Sequence, residues 1–145
     1  MTYLQALDKI NSLMLFGSRP GLDRILKFLD AMGNPQDKLK FVHIAGTNGK
    51  GSTSKMIAAV LKSAGYKTGL FISPYIIDFR ERIQIDNKMI EKESLAKCVE
   101  ETYPLLEELK KQGVIITEFE YITALAFKYF AESGCDVVVL ETGMG

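Results

Sequence analysis

Phe41-Val42-His43-Ile44-Ala45-Gly46-Thr47-Asn48-Gly49-Lys50-Gly51-Ser52-Thr53 decides how the rest of the chain is read. Phe41 to Ala45 is a short apolar run with β-branched members, the length of a strand buried in a parallel sheet. Gly46, Gly49 and Gly51 follow within six residues, Lys50 stands between the last two, and a helical pattern starts at once. Glycines let the backbone wrap an anion with its N–H groups pointing inward. A helix start adds unpaired donors and the positive end of its dipole. Lys50 contributes a point charge, and the hydroxyl of Ser52 or Thr53 can ligate Mg²⁺. The stretch therefore predicts strand, phosphate-binding loop and helix, against the plainer alternative of a glycine-rich βα turn without a ligand. Its spacing, G-x-x-G-K-G-S, is not the common G-x-x-x-x-G-K-[ST]: Ile44 occupies the place of that pattern's first glycine, and Gly51 separates the lysine from the hydroxyls.

Working outward, Thr2 and Gln5 have the form of a capping box, with Leu4, Leu7, Ile10 and Leu13 or Met14 at helical spacing. A second helix is expected from Leu22 to Met32, with Ile25, Leu26 and Leu29 inward and Gly33 closing it. Beyond the loop, a helix from Ser52 to about Ala64 shows Met56, Ile57, Val60 and Leu61, and Gly65 stops it. Thr68 to Ile72 reads as a strand ended by Ser73-Pro74, since proline cannot donate to a ladder. Ile83 and Ile85, the turn formers Asp86-Asn87 and then Met89-Ile90 read as a small hairpin. Leu95, Cys98, Val99 and Thr102 line a helix that Pro104 is expected to kink or restart at Tyr103. Thr117 and Glu120 repeat the capping pattern before a helix with Phe119, Ile122, Ala126, Phe127 and Phe130 inward. Asp136 to Leu140 is a third strand, ending on Glu141.

Strands alternating with helices predict an α/β fold with a doubly wound parallel sheet, whose ligands bind beyond the carboxyl ends of the strands. The glycine loop, Ser73 and Glu141 all fall there and are expected to converge. Glu141 closing an apolar strand behind a phosphate loop points to Mg²⁺, which takes one or two protein oxygens and completes its shell with phosphate and water; the alternative is an ordinary strand-end carboxylate. Ser73-Pro74 is also a plain turn former. With 145 residues, 47 % of them apolar, the chain can bury a core, and one domain is the default. Eighteen basic residues balance eighteen acidic ones, so charge indicates neither a nucleic-acid nor a membrane partner. Cys98 and Cys135 lack metal-ligand spacing and read as small buried thiols. With no signal-peptide or membrane-spanning pattern, a reducing cytoplasm is the expected location.

The loop resembles that of the Mur-type amide ligases, and the string GTNGKGST is similar to that of the folylpolyglutamate synthase and dihydrofolate synthase family. Gly69-Leu70-Phe71-Ile72-Ser73-Pro74 and Phe79-Arg80-Glu81-Arg82-Ile83 are similar to further family segments, although Tyr75 stands where the family usually has histidine. The resemblance implies an ATP-binding domain of the parallel-sheet, phosphate-loop NTPase type (Mur ligase-like), incomplete and preceded by two helices. It implies ATP contacts at Gly46, Thr47, Asn48, Gly49, Lys50, Gly51, Ser52 and Thr53, with Lys50 acting in catalysis, and Mg²⁺ at Ser73 and Glu141. Gly21-Leu22-Asp23-Arg24 and Thr117-Glu118-Phe119-Glu120 resemble segments near the family's folate or pteroate site; for Thr117 and Glu120, helix capping can hold at the same time. The implied activity is ATP-dependent joining of L-glutamate to a folate or dihydropteroate carboxylate by a cytoplasmic enzyme, monomeric when full length. On this resemblance residues 1–145 are the amino-terminal part of the ATP-binding domain, with the rest of that domain and a glutamate-ligase domain expected beyond it. The alternatives are another phosphate-loop NTPase, a switch or kinase, and a non-catalytic nucleotide-binding module.

Overall fold

The computed structural model describes residues 1–17, 21–45 and 49–141, with only the backbone described for Lys50. Where one domain is the sequence default, the chain forms two compact units: residues 1–36 with 92–129, and residues 37–91 with 130–145.

The first unit is helical. Helix α1 (Tyr3–Ser12) is capped as expected, the Thr2 hydroxyl accepting from the Gln5 amide at 3.1 Å while the Gln5 side chain accepts from the Thr2 amide. Ala6, Ile10 and Leu13 form its buried stripe, whereas Leu4 is exposed. Helix α2 (Asp23–Ala31) buries Phe28 and Leu29; Leu26, expected inward, faces solvent. In helix α4 (Lys92–Lys111) Pro104 neither ends nor restarts the helix, contrary to expectation. Pro104 is exposed, while Leu95, Val99, Thr102, Leu106 and Leu109 continue one buried stripe past it. Burial along that stripe outweighs the single hydrogen bond a proline removes. Helix α5 (Glu118–Glu132) buries Tyr121, Ile122, Ala124, Leu125 and Ala126, almost all round. Phe119 is the exception: expected inward, it is exposed, facing away from the buried Thr117 and Glu120 that flank it. Tyr121 packs its ring 5.6 Å from that of Phe28 and shares a 2.8 Å hydrogen bond with the Thr102 hydroxyl.

The second unit carries the sheet. Its strands are β1 (Phe41–Ile44), β2 (Thr68–Phe71), β3 (Ile83–Ile85), β4 (Lys88–Met89) and β5 (Val137–Glu141), and helix α3 (Lys50–Ser63) follows β1. The strand order is β1-β5-β2-β3-β4. β1, β5 and β2 run parallel, while β3 and β4 are antiparallel, so the sheet is mixed rather than wholly parallel. The hairpin has joined the edge next to β2, its turn made by Asp86 and Asn87 at φ 49° and 67°. Both cysteines are free, buried thiols, and burial pushes that of Cys135 up to about 11.

Alternation sorts the two faces of the parallel strands. Leu70, Ile72 and Val139 form one buried cluster, against which Val42, Ile44, Ile57, Ala58 and Leu61 pack; Met56 and Val60 of α3 turn outward. Gly69 and its register partner Val138 belong to the other face. There a Cβ on Gly69 would lie 2.8 Å from Cδ1 of the fully buried Phe130 ring. Gly69 is thus required by ring packing. Gly69→Ala should lower stability by about 1–3 kcal/mol, read as a lower urea midpoint with an unchanged slope, and Phe130→Leu should recover part of that loss.

Candidate active site

Strands β1, β5 and β2 run parallel and end at one edge. In register, Ile44 of β1 pairs with Glu141 of β5, and Phe71 of β2 pairs with Leu140. Glu141 therefore closes the central strand, with the glycine loop leaving from β1 on one side and Ser73 two residues past β2 on the other. Of the three groups expected to converge, the start of α3 and Glu141 are seen to meet.

Gly46, Thr47, Asn48 and the Lys50 side chain lie outside the described residues, as do Ser18 to Pro20 and Thr142 to Gly145. Gly49 is the N-cap of α3 in the left-handed region, φ 73° and ψ 8°, with no side-chain cap. The Thr53 amide donates to the Gly49 carbonyl at 3.0 Å, the first hydrogen bond of the helix. The amides of Lys50, Gly51 and Ser52 precede that bond and have no partner within the helix. Ser52 and Thr53 are exposed on the same turn, whereas Glu141 is buried at 6 % exposure. A Cβ on Gly51 would stand 3.8 Å from Glu141 Oε2, so the carboxylate faces the first turn of α3, where the helix dipole favours negative charge.

The two segments matched to a substrate role lie in the first unit, and one ion pair joins them. Glu120 accepts from Arg24 Nε and Nη2, each at 3.3 Å, and from the Thr117 amide and hydroxyl at 3.0 and 3.1 Å. The Thr117 hydroxyl accepts from the Glu120 amide at 3.3 Å, which closes the expected capping box. Glu120 and Thr117 are buried, and their oxygens are committed to holding the two segments together. Gly21 has φ 102°, Leu22 precedes α2, Asp23 begins α2 and Glu118 begins α5. Leu22 and Phe119, at 70 % and 43 % exposure, are the large apolar side chains these segments leave open. Tyr75, in the histidine position, packs edge-on against Phe79 at 5.9 Å beneath the Arg82 guanidinium.

A three-stranded parallel core, a helix starting from a left-handed glycine and a strand-end carboxylate facing that start define an α/β domain of the Mur ligase-like kind. Over its whole length the chain corresponds to the amino-terminal part of the folylpolyglutamate synthase and dihydrofolate synthase family. It is 43 % identical over 145 residues to the dihydrofolate synthase/folylpolyglutamate synthase of Bacillus subtilis, covering 99 % of the chain and 34 % of that protein. The folylpolyglutamate synthase structure from Thermotoga maritima matches with a TM-score of 0.91 at 42 % identity, over 99 % of this chain and 33 % of that one. A solved FPGS–AMPPCP–folate complex matches with a TM-score of 0.91 at 41 % identity, over 100 % of this chain and 36 % of that one. The chain spans 17 % to 34 % of the length of the first curated relatives it matches. No protein-family model matches it. Among the described residues, no helix is long and apolar enough to cross a membrane.

Gly49 holds a left-handed backbone, φ 73°, that side-chain-bearing residues rarely adopt. A β-branched residue there carries a strain of roughly 1–3 kcal/mol. Gly49→Val should therefore weaken AMPPCP binding at least tenfold by calorimetry, and Gly49→Asn, tolerant of the left-handed region, should lose less. Glu120→Ala, which strips Arg24 and Thr117 of a shared acceptor, should cost about 2 kcal/mol in denaturant unfolding.

Proposed function

We propose that the protein carrying this chain is an ATP-dependent ligase that joins a folate or dihydropteroate carboxylate to the amino group of L-glutamate. The observation that carries the reading is the Glu141 carboxylate facing the bare first turn of α3, in a chain that matches the FPGS–AMPPCP–folate complex over its full length. Phosphate oxygens held by those amides would come beside a buried carboxylate, and two anions so placed need a cation between them. In this reading the Glu141 carboxylate and the Ser73 hydroxyl would hold magnesium, oxygen donors of the kind that ion prefers. When bound, Mg²⁺ supplies charge neutralisation on the transferring phosphoryl group.

A carboxylate is a poor electrophile. Its oxygen attacks the γ-phosphorus, ADP departs, and the resulting acyl phosphate has a good leaving group. The glutamate amine then attacks the acyl carbon, phosphate leaves with its electron pair, and the amine loses a proton as the amide forms. In this reading Gly46, Thr47, Asn48, Gly49 and Gly51 bring backbone amides to the phosphates, Ser52 and Thr53 line the same turn, and Lys50 balances the migrating charge. These residues act by position and field, the main demands of phosphoryl transfer. In the first unit the Arg24–Glu120 pair fixes the segments from which Leu22 and Phe119 offer apolar surface to a flat ring system. The protein acts as a monomer in the cytoplasm.

With ATP, Mg²⁺, L-glutamate and either dihydropteroate or a reduced folate, the protein carrying this chain should yield glutamylated product with equal amounts of ADP and phosphate. ATP hydrolysis without such product would sink the ligase reading. Glu141→Ala should lower turnover about a hundredfold, and Ser73→Ala about tenfold, each with a smaller effect on magnesium-free nucleotide affinity. Wild-type rates for both variants across a magnesium titration would remove these two ligands.

A further inference from the structure

The segment after Ser73 is a closed loop braced from within. From the end of β2 the chain leaves at Ile72 and returns at Arg82, and the Ile72 amide donates to the Arg82 carbonyl at 3.0 Å across the neck. Compact loops whose ends meet in this way are frequently functional. Inside it, the Glu81 carboxylate accepts from three successive backbone amides: Ile76 at 2.9 Å, Ile77 at 3.0 Å and Asp78 at 2.8 Å. Led by the Ile76 amide, these bonds hold the Glu81 carboxyl below the usual carboxylate range, so the clamp is ionised at neutral pH. Asp78 accepts from Arg80 Nη2 at 2.9 Å, and the Arg82 guanidinium lies 5.2 Å from the Tyr75 ring centre and 5.6 Å from that of Phe79.

Apolar burial does not hold the tip of this loop. Ile76 and Ile77 are 86 % and 88 % exposed, so their side chains contribute almost nothing to fixing it. The restraint on these residues is the set of bonds to Glu81. Ser73 stands between the end of β2 and this clamped tip, at the edge shared with Glu141. A neutral hydroxyl attracts a cation weakly, and its worth as a ligand depends on being in place beforehand.

We infer that Glu81 is a positioning residue for the magnesium site: by clamping the amides of Ile76, Ile77 and Asp78 it fixes the path of the chain after Ser73, and with it the serine hydroxyl. The inference rests on the proposed function, in which Ser73 and Glu141 hold the cation. On this inference Glu81 acts through the backbone it holds, not through contact with nucleotide or metal.

The test uses Glu81→Ala and Glu81→Gln in the protein carrying this chain, with AMPPCP titrated calorimetrically in the presence and absence of Mg²⁺. For Glu81→Ala the gain in affinity that Mg²⁺ brings should shrink at least fivefold, and the half-saturating Mg²⁺ for turnover should rise by a similar factor. Its magnesium-free affinity should stay within twofold of wild type, which reports an intact fold. Glu81→Gln keeps one oxygen able to accept and should fall between. Wild-type magnesium gain in both variants would overturn the inference. So would equal losses with and without Mg²⁺, the mark of a merely structural role. A wild-type protein that makes no glutamylated product, yet shows a magnesium gain that the Glu81 variants lose, would overturn the ligase reading and leave the clamp standing.

Discussion

The ladder that β5 makes on both of its sides sets the position of everything at the ligand edge. β1 and β2 do not touch each other; each is hydrogen-bonded to β5, through Phe41–Val138 to Ile44–Glu141 on one side and Thr68–Val137 to Phe71–Leu140 on the other. Because side chains alternate, slipping β5 by one residue would turn Val139 out of the cluster beneath α3 and move Val138 away from the Phe130 face. Val138 and Val139 are both fully buried, and the missing side chain of Gly69 admits the Phe130 ring at only one register. The place of the Glu141 carboxylate is thus fixed by apolar packing a few residues away.

Local signals in the chain were sufficient for the elements and insufficient for their arrangement. The caps at Thr2 and Thr117, the glycine stops at Gly33 and Gly65, and the hairpin turn at Asp86-Asn87 each follow from the chemistry of a few neighbouring residues. Strand order does not, since nothing local in Asp136 to Leu140 says that it inserts between two earlier strands. Nor does a hairpin pattern say which edge it will join. Pro104 and Phe119 are failures of another kind. Propensity and periodicity describe a helix in isolation, whereas the buried stripe of α4 continues past its proline and Phe119 faces outward between buried Thr117 and Glu120.

Much the same divide runs through the candidate site. The resemblance selected Arg24 and Glu120, but their contact joins residues 96 positions apart, which no spacing reveals. Glu81 left a local trace: Asp78 followed three residues later by glutamate is a capping-box pattern, and Asp78 does accept from the Arg80 amide while Glu81 reaches back. What the pattern omits is that the same carboxylate also takes the amides of Ile76 and Ile77, turning a cap into the clamp of a loop.

Three glutamates and one glycine give the unusual loop spacing a physical sense. Glu81 accepts three amides and Glu120 accepts from both Arg24 and Thr117, so each carboxylate is occupied in joining segments of its own unit. Glu141 differs in what it faces, the start of α3 across from Gly51. Unlike Gly49, which adopts a positive φ, Gly51 lies within α3 and does not require glycine for its backbone conformation. A Cβ there would stand in ordinary contact with the carboxylate, 3.8 Å from Glu141 Oε2. The common loop has no glycine between its lysine and its hydroxyl; the G-K-G-S order puts one at the helix turn that meets the strand-end acid. The extra glycine thus sits where the start of α3 meets the β5 carboxylate.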